Sequence, residues 1–242
     1  MLGVEFESGL EVMLRDRLHA QFPPGPREQG EDARASQAGG VRCGDLEHGD
    51  GVPELRRITR YNIKYGVDVV KFMSTGGVMS LGTSVGAQQL TEDEMAAIIE
   101  VANMYGKPTA THAHGTDGIN AAIRAGVTSV EHGMMINDES IELMLKKGTY
   151  LVPTLIAPER IIAMGTENGI AEWAVNKATY VFGVFKKNFG RAFKAGVKVA
   201  FGTDAATPFN FHGKQAREFE LLCSFGLSPL EALTCATKTA SE

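Results

Sequence analysis

Three of the six histidines in the sequence close short apolar runs: His112 and His114 in THAHG, and His132 in SVEHG. Asp204 closes another run in VAFGTDA, and Lys71 sits near the end of VVKFM. Neutral imidazoles at successive strand ends suit zinc or a similar borderline metal. A carboxylate beside them can ligate the same ion and exchange a proton with an attacking water. As the bland alternative, Asp204 is a turn or helix-capping aspartate, since Gly202 and Thr203 before it make a tight strand exit. His114 falls two residues after His112, on the same side of a continuing strand, and reads as a substrate contact or a structural residue.

Lys71 admits three readings. It is a lysine that snorkels out of a strand end, a Schiff-base amine, or an amine that captures carbon dioxide as a carbamate able to bridge two metal ions. His212, in PFNFHGKQAREFELL, lies on a loop just before a helix and reads as a lid or substrate residue, or as a helix-start histidine. The glycines of STGGV lack the spacing of a nucleotide-phosphate loop.

The elements that must position these groups are legible from residue 52 onward. Short β-branched runs alternate with segments of 3.6-residue periodicity, the pattern of βα units feeding a parallel sheet. Strands are predicted at 67–73, 108–112, 129–132, 150–154 and 197–204. Thr91 and Glu94 form a capping box ahead of Met95, Ile98, Ile99 and Ala102. Asp138 leads Ile141, Met144 and Leu145, with Gly148 as the stop, and 170–195 reads as one long helix or two. Ser228, Pro229 and Glu231 supply the N-cap, first position and third position of a last helix. Side chains at the C-terminal ends of parallel barrel strands converge on one mouth, so Lys71, His112, His114, His132 and Asp204 are expected to meet there.

Residues 21–50 hold six Gly and three Pro with Phe22 as the lone aromatic. That segment is expected to be loop or disorder, and residues 1–50 as a whole read as a low-complexity or disordered N-terminal segment with one short helix at 8–19, leaving 51–242 as the folded unit. Net charge is −5, which argues against nucleic acid and anionic membranes as partners. No run approaches the ~18 apolar residues of a spanning helix. Glu5, Glu7, Glu11 and Asp16 do not suit a secretory signal, and Cys43, Cys223 and Cys235 form no paired pattern, so a reducing, cytoplasmic setting is expected.

The ordered set KFMSTGGVMS, THAHG, SVEHG, PTL, FGTDA and LSPLEALTCAT resembles the metal-dependent amidohydrolase superfamily. It is most similar to the imidazolonepropionase-like and Xaa-Pro dipeptidase (prolidase-like) branch. The resemblance runs from about residue 50 to 242, with intervals of 41 residues from Lys71 to His112, 20 to His132 and 72 to Asp204. It implies an α/β fold, a (β/α)8 TIM barrel of which strands 4–8 are recognisable. It also implies Lys71 as a carboxylated lysine, His112 and His132 as histidine ligands, and Asp204 as both ligand and proton shuttle. His114 and His212 would then contact substrate. One or two divalent ions, zinc foremost, would serve cleavage of C–N bonds in small peptides or N-acyl amino acids, in a chain that can form homo-oligomers. The family's first-strand His-x-His has no counterpart upstream of Lys71, where the histidines are His19 and His48. Two alternatives therefore stand beside the hydrolase: a catalytically impaired partial barrel, and a lyase using Lys71 as a Schiff base.

Overall fold

The structure, a computed structural model, describes residues 49–242. The expected disorder of 1–50 and helix at 8–19 lie outside the described residues, apart from 49 and 50, as do His19, Cys43 and His48. Helix α1 (Gly51–Lys64) leads into β1 (Val70–Met73), α2 (Glu92–Met104), β2 (Thr109–Ala113), α3 (Thr116–Ala125) and β3 (Ser129–His132). Then follow α4 (Asp138–Lys147), β4 (Tyr150–Val152), α5 (Ile156–Met164), α6 (Glu172–Ala195), α7 (Arg217–Ser224) and α8 (Pro229–Thr237).

The sheet is parallel, in the order β1-β2-β3-β4. Because each strand pairs with the next in sequence, every crossover helix covers the same outer face. One row across that face is Phe72, Thr111, Val130 and Leu151, extended by a bridge from Leu151 to Val199. Its apolar members are buried against the helices together with Ile98, Ile119 and Ile123. The next row points to the opposite, inner face: Met73, His112, Glu131 and Val152. A further row holds Lys71, Ala110 and Ser129 on that inner face. Strand alternation thus separates a mainly apolar packing face from the face that carries chemistry.

The predicted strand at 197–204 is present only as an extended segment. It is tied to β4 by the Ala200 N–H donating to Leu151 O at 3.0 Å and the Leu151 N–H to Lys198 O at 2.9 Å. Beyond Ala200 the chain turns its hydrogen bonds elsewhere: Phe201 N–H donates to Cys235 O of α8 at 3.1 Å. The apolar run is real, but it pairs with β4 only over 198–200, and from Phe201 onward its partner is the end of α8.

Capping chemistry sets the helix starts. Thr91 with Glu94 and Ser228 with Glu231 make the expected boxes, whereas Asn137, not Asp138, caps α4 through Ser140. The segment from 172 to 195 is a single helix whose buried stripe, Ala174, Ala178, Val181, Phe185, Phe189 and Ala192, repeats at intervals of three and four. Burying Phe185 and Phe189 fully contributes roughly 2–3 kcal/mol each before entropic costs. Helix α1, not anticipated as a helix, buries Leu55, Ile58, Thr59 and Asn62 and packs on α2. No helix among the described residues is long and apolar enough to cross a membrane, and Cys223 and Cys235 are free thiols.

Candidate metal centre

His112 stands on the inner face at the end of β2, and His114 follows two residues later with the same orientation. His132 is different. It pairs with Ala113, whose methyl belongs to the outer core, so simple alternation would turn the imidazole away from His112. The backbone at His132 instead adopts φ 70°, a left-handed conformation rare for a non-glycine residue, and this swings the ring back to the inner face. Consecutive residues Glu131 and His132 therefore both serve one rim.

The three imidazoles meet there. Ring centroids lie 4.5 Å apart for His112 and His132, 4.7 Å for His112 and His114, and 4.9 Å for His114 and His132. One nitrogen from each lies within 4.8 Å of the others, close enough to share a metal ion. Two buried ring nitrogens, His112 Nε2 and His114 Nδ1, have no hydrogen-bond partner, and neither does Glu131 Oε2. Buried polar atoms without partners are costly, and a divalent cation would satisfy this set of donors. The residues therefore fit a metal.

Electrostatics agree with that reading. Burial holds His112 and His132 well below the usual imidazole range, assisted by the neighbouring rings and by the Lys71 ammonium. Burial alone lowers His114 to about 3. All three are thus kept neutral with a free lone pair, which suits His112 and His132 to metal ligation and leaves His114 able to ligate or to accept a hydrogen bond from a bound molecule. Burial pushes Glu131 up to about 7, against the pull of Lys71 and of the Ser129 hydroxyl, which donates to Oε1 at 2.8 Å; Asp204 adds to the rise.

Support for the ligands comes from the turns beneath them. His132 Nδ1 lies 2.6 Å from Thr154 Oγ1. If Nε2 of His132 faces a metal, Nδ1 keeps the proton and donates it to Thr154, which fixes both tautomer and ring plane. Thr154 is itself at φ 48°, and Asp204 at φ 50°. His132, Thr154 and Asp204 end three successive strand segments, and each holds a conformation that costs of order 1–3 kcal/mol. Asn210 Nδ2 donates to Thr203 O at 2.7 Å and to Asp204 O at 2.9 Å, anchoring the turn that carries the aspartate.

A loop from Ser74 to Leu90 covers the rings from the side of β1. Gly77 is so close that a Cβ there would lie 3.2 Å from His112 Cε1 and Nε2. Gly86 meets Gly115 backbone to backbone: a Cβ on Gly115 would stand 2.0 Å from Gly86 O. From α6, the Lys177 ammonium donates to Ser80 O and Thr83 O, both at 2.7 Å, and pins the loop's far side.

Of the six residues singled out from sequence, His112, His114 and His132 are in contact. Lys71 and Asp204 stand near enough for their charges to act on Glu131. His212 is exposed on the loop before α7 and is not among the clustered rings. The PTL motif marks the strand end at Thr154 without giving that residue a role, and Glu131, Asn210 and Glu218 are not among the site residues expected from sequence. A signal existed for the last: Glu218 shares its helix face with Leu221, Leu222 and Phe225, where a carboxylate is out of place.

Comparison with known proteins agrees with the geometry. Ochratoxinase of Aspergillus niger is 37% identical over 200 residues, 82% of this chain and 40% of that protein. Its crystal structure superposes with a TM-score of 0.71 at 36% identity, covering 79% of this chain and 43% of that one. A Xaa-Pro dipeptidase crystallised with methionine in its active site gives a TM-score of 0.78 at 31% identity over 98% of this chain and 63% of that one. A prolidase complexed with N-methylphosphonate-L-proline gives 0.76 at 26% identity, over 97% and 61%. The chain spans about 40% of the length of the curated relatives it matches. Residues 6–242 match the amidohydrolase family, further toward the N-terminus than the motifs that begin at Lys71. The described parallel sheet is accordingly part of an amidohydrolase TIM barrel, and the chain belongs to the amidohydrolase family.

Proposed function

We propose that this chain supplies the metal-binding and proton-transfer groups of a hydrolase that cleaves C–N bonds in small peptides or N-acyl amino acids. The observation that carries the reading is the convergence of three neutral imidazoles, two with unpartnered buried nitrogens, at the C-terminal rim of a parallel sheet. Lys71 as a carbamate, His112, His132 and Asp204 would hold one or two divalent ions, zinc by the match of nitrogen and oxygen donors. Such an ion, when bound, acidifies an attacking water and polarises the scissile carbonyl.

The protein groups divide the remaining work. The Asp204 carboxylate takes the proton released by the attacking water and returns it to the departing nitrogen. His114, buried against both other rings, orients the amide from the inner side, and His212 reaches the substrate from the exposed loop. The Ser74–Leu90 loop limits water on the β1 side. Relatives described as a Xaa-Pro dipeptidase and a prolidase support a short-peptide substrate. A net charge of −5 supports small-molecule over nucleic-acid or membrane partners.

Asp204→Asn tests the assignment. Turnover of a panel of dipeptides and N-acyl amino acids should fall at least a thousandfold while zinc content stays largely unchanged. Near-normal turnover in that variant would remove Asp204 from proton transfer.

A further inference from the structure

We propose that Glu218 is a positioning residue for His132, acting through the backbone of Leu155 and Ile156 and the hydroxyl of Thr154. The inference rests on the reading of His132 as a metal ligand. It begins from a misplaced acidic side chain: Glu218, on α7, has 0% exposure. Its two oxygens accept the N–H groups of Leu155 and Ile156, each at 2.7 Å.

Those two donors open α5 and follow directly on Thr154. The N–H of Leu155 belongs to the peptide unit joining it to Thr154, so gripping that N–H sets the ψ angle of Thr154. This matters because Thr154 is a β-branched residue at φ 48° and 1% exposure, a conformation it would abandon without outside restraint. With the peptide held, Thr154 Oγ1 stays 2.6 Å from His132 Nδ1. The left-handed backbone of His132 brings its ring to the inner face, and that hydroxyl then fixes the ring plane. The chain of contacts runs from a helix after the last strand segment to the imidazole of β3, across two intervening elements. Arg217, next to Glu218, pairs with Glu159 of α5 at 3.2 Å and keeps the two helices in register.

A plain helix-capping role would use the same hydrogen bonds, and zinc affinity separates the two. The metal-stripped full chain is titrated with zinc against a chromophoric chelator, with thermal melts recorded alongside. Outer partners of histidine ligands typically change metal affinity 10–100-fold. Glu218→Gln should therefore weaken zinc at least about tenfold, and Thr154→Val should do the same, whereas Thr154→Ser keeps the hydroxyl and stays near wild type. In the double variant, adding Glu218→Gln to Thr154→Val should change affinity by less than about twofold, because the connection is already cut. Should Glu218→Gln fail to fold, Glu218→Asp carries the test: one methylene shorter, it cannot span both N–H groups, and zinc should again bind several-fold more weakly. Lowered melting temperatures with unchanged zinc affinity would make Glu218 a cap only and overturn the proposal. Wild-type chain that takes up no zinc would overturn the metal reading itself, and this inference with it.

Discussion

Replacing Gly115 by alanine would put a methyl group inside another peptide. The added Cβ would lie 2.0 Å from Gly86 O, 2.7 Å from Gly86 C and 2.9 Å from Gly86 Cα. Real contacts of this type do not fall below 3.0 Å, so the two backbones must part by about 1 Å. The obstacle is backbone on both sides, with no flexible side-chain end to give way. Overpacking of this kind costs ~1–3 kcal/mol in general, and rigid surroundings put Gly115→Ala at the upper end, about 3 kcal/mol. For a chain of this size that is a fall of about 6–12 °C in Tm. Gly115 itself has φ −78°, so backbone preference does not contribute to the loss. Gly183 is the matched control, since it lies within α6 with nothing within 4 Å of its notional Cβ. There Gly→Ala should stabilise by up to ~1 kcal/mol through helix propensity. The loop that Gly115→Ala displaces also carries Gly77 against His112, so zinc affinity should fall along with Tm. Calorimetric melts of both variants decide the matter. If Gly115→Ala melts at or above wild type, the Gly86–Gly115 contact is absent and the loop is not seated on the histidines as described.

Other consequences follow from the same geometry. The folded pKa of His114, about 3, lies below the ordinary 6.5, so its contribution to stability is present above pH 6.5 and is lost as pH falls toward 3. The shift corresponds to about 5 kcal/mol at its limit. His114→Gln should flatten the acid side of a urea-denaturation profile taken in chelator, and profiles parallel to wild type would contradict the burial argument. Burial raises Glu218 to about 8, against the two N–H donors, so its contribution has the opposite sense: present below pH 4.5 and lost as pH rises through 8. Glu218→Gln should accordingly raise relative stability on the alkaline side in the same assay. Lys177→Met removes the hydrogen bonds to Ser80 O and Thr83 O. Limited proteolysis near Leu81, 80% exposed, should accelerate several-fold with only a small change in Tm; an unchanged cleavage rate would show that Lys177 does not hold the loop.

Much of this site could be read from the sequence because its parts lie at strand ends, and strand ends announce themselves. The β-branched runs before His112 and His132, and the capping boxes at Thr91 and Ser228, fix where strands stop and helices start. What stayed hidden depends on register and on backbone exceptions. Alternation predicts that His132 faces away from His112, and only the left-handed turn at His132 reverses that. Glu131 carries no local signal within SVEH, because its neighbour across the sheet, His112, is set by strand pairing that no local pattern encodes. The apolar run at 197–204 suggested a full strand, whereas Phe201 gives its hydrogen bond to the end of α8. Helix α1 escaped notice although Leu55, Ile58, Thr59 and Asn62 repeat with helical spacing, since two of the four are polar.

If His112 and His132 hold a divalent ion at the rim shared with Lys71 and Asp204, removing both rings must remove the ion. Elemental analysis of the full chain, grown with zinc and then desalted, tests it most directly when set beside the His112→Ala/His132→Ala double variant. One to two zinc ions per wild-type chain are expected and close to none in the double variant, with the variant still folded by near-UV circular dichroism. Equal zinc in both proteins, or a wild-type chain that is folded and metal-free, would contradict it.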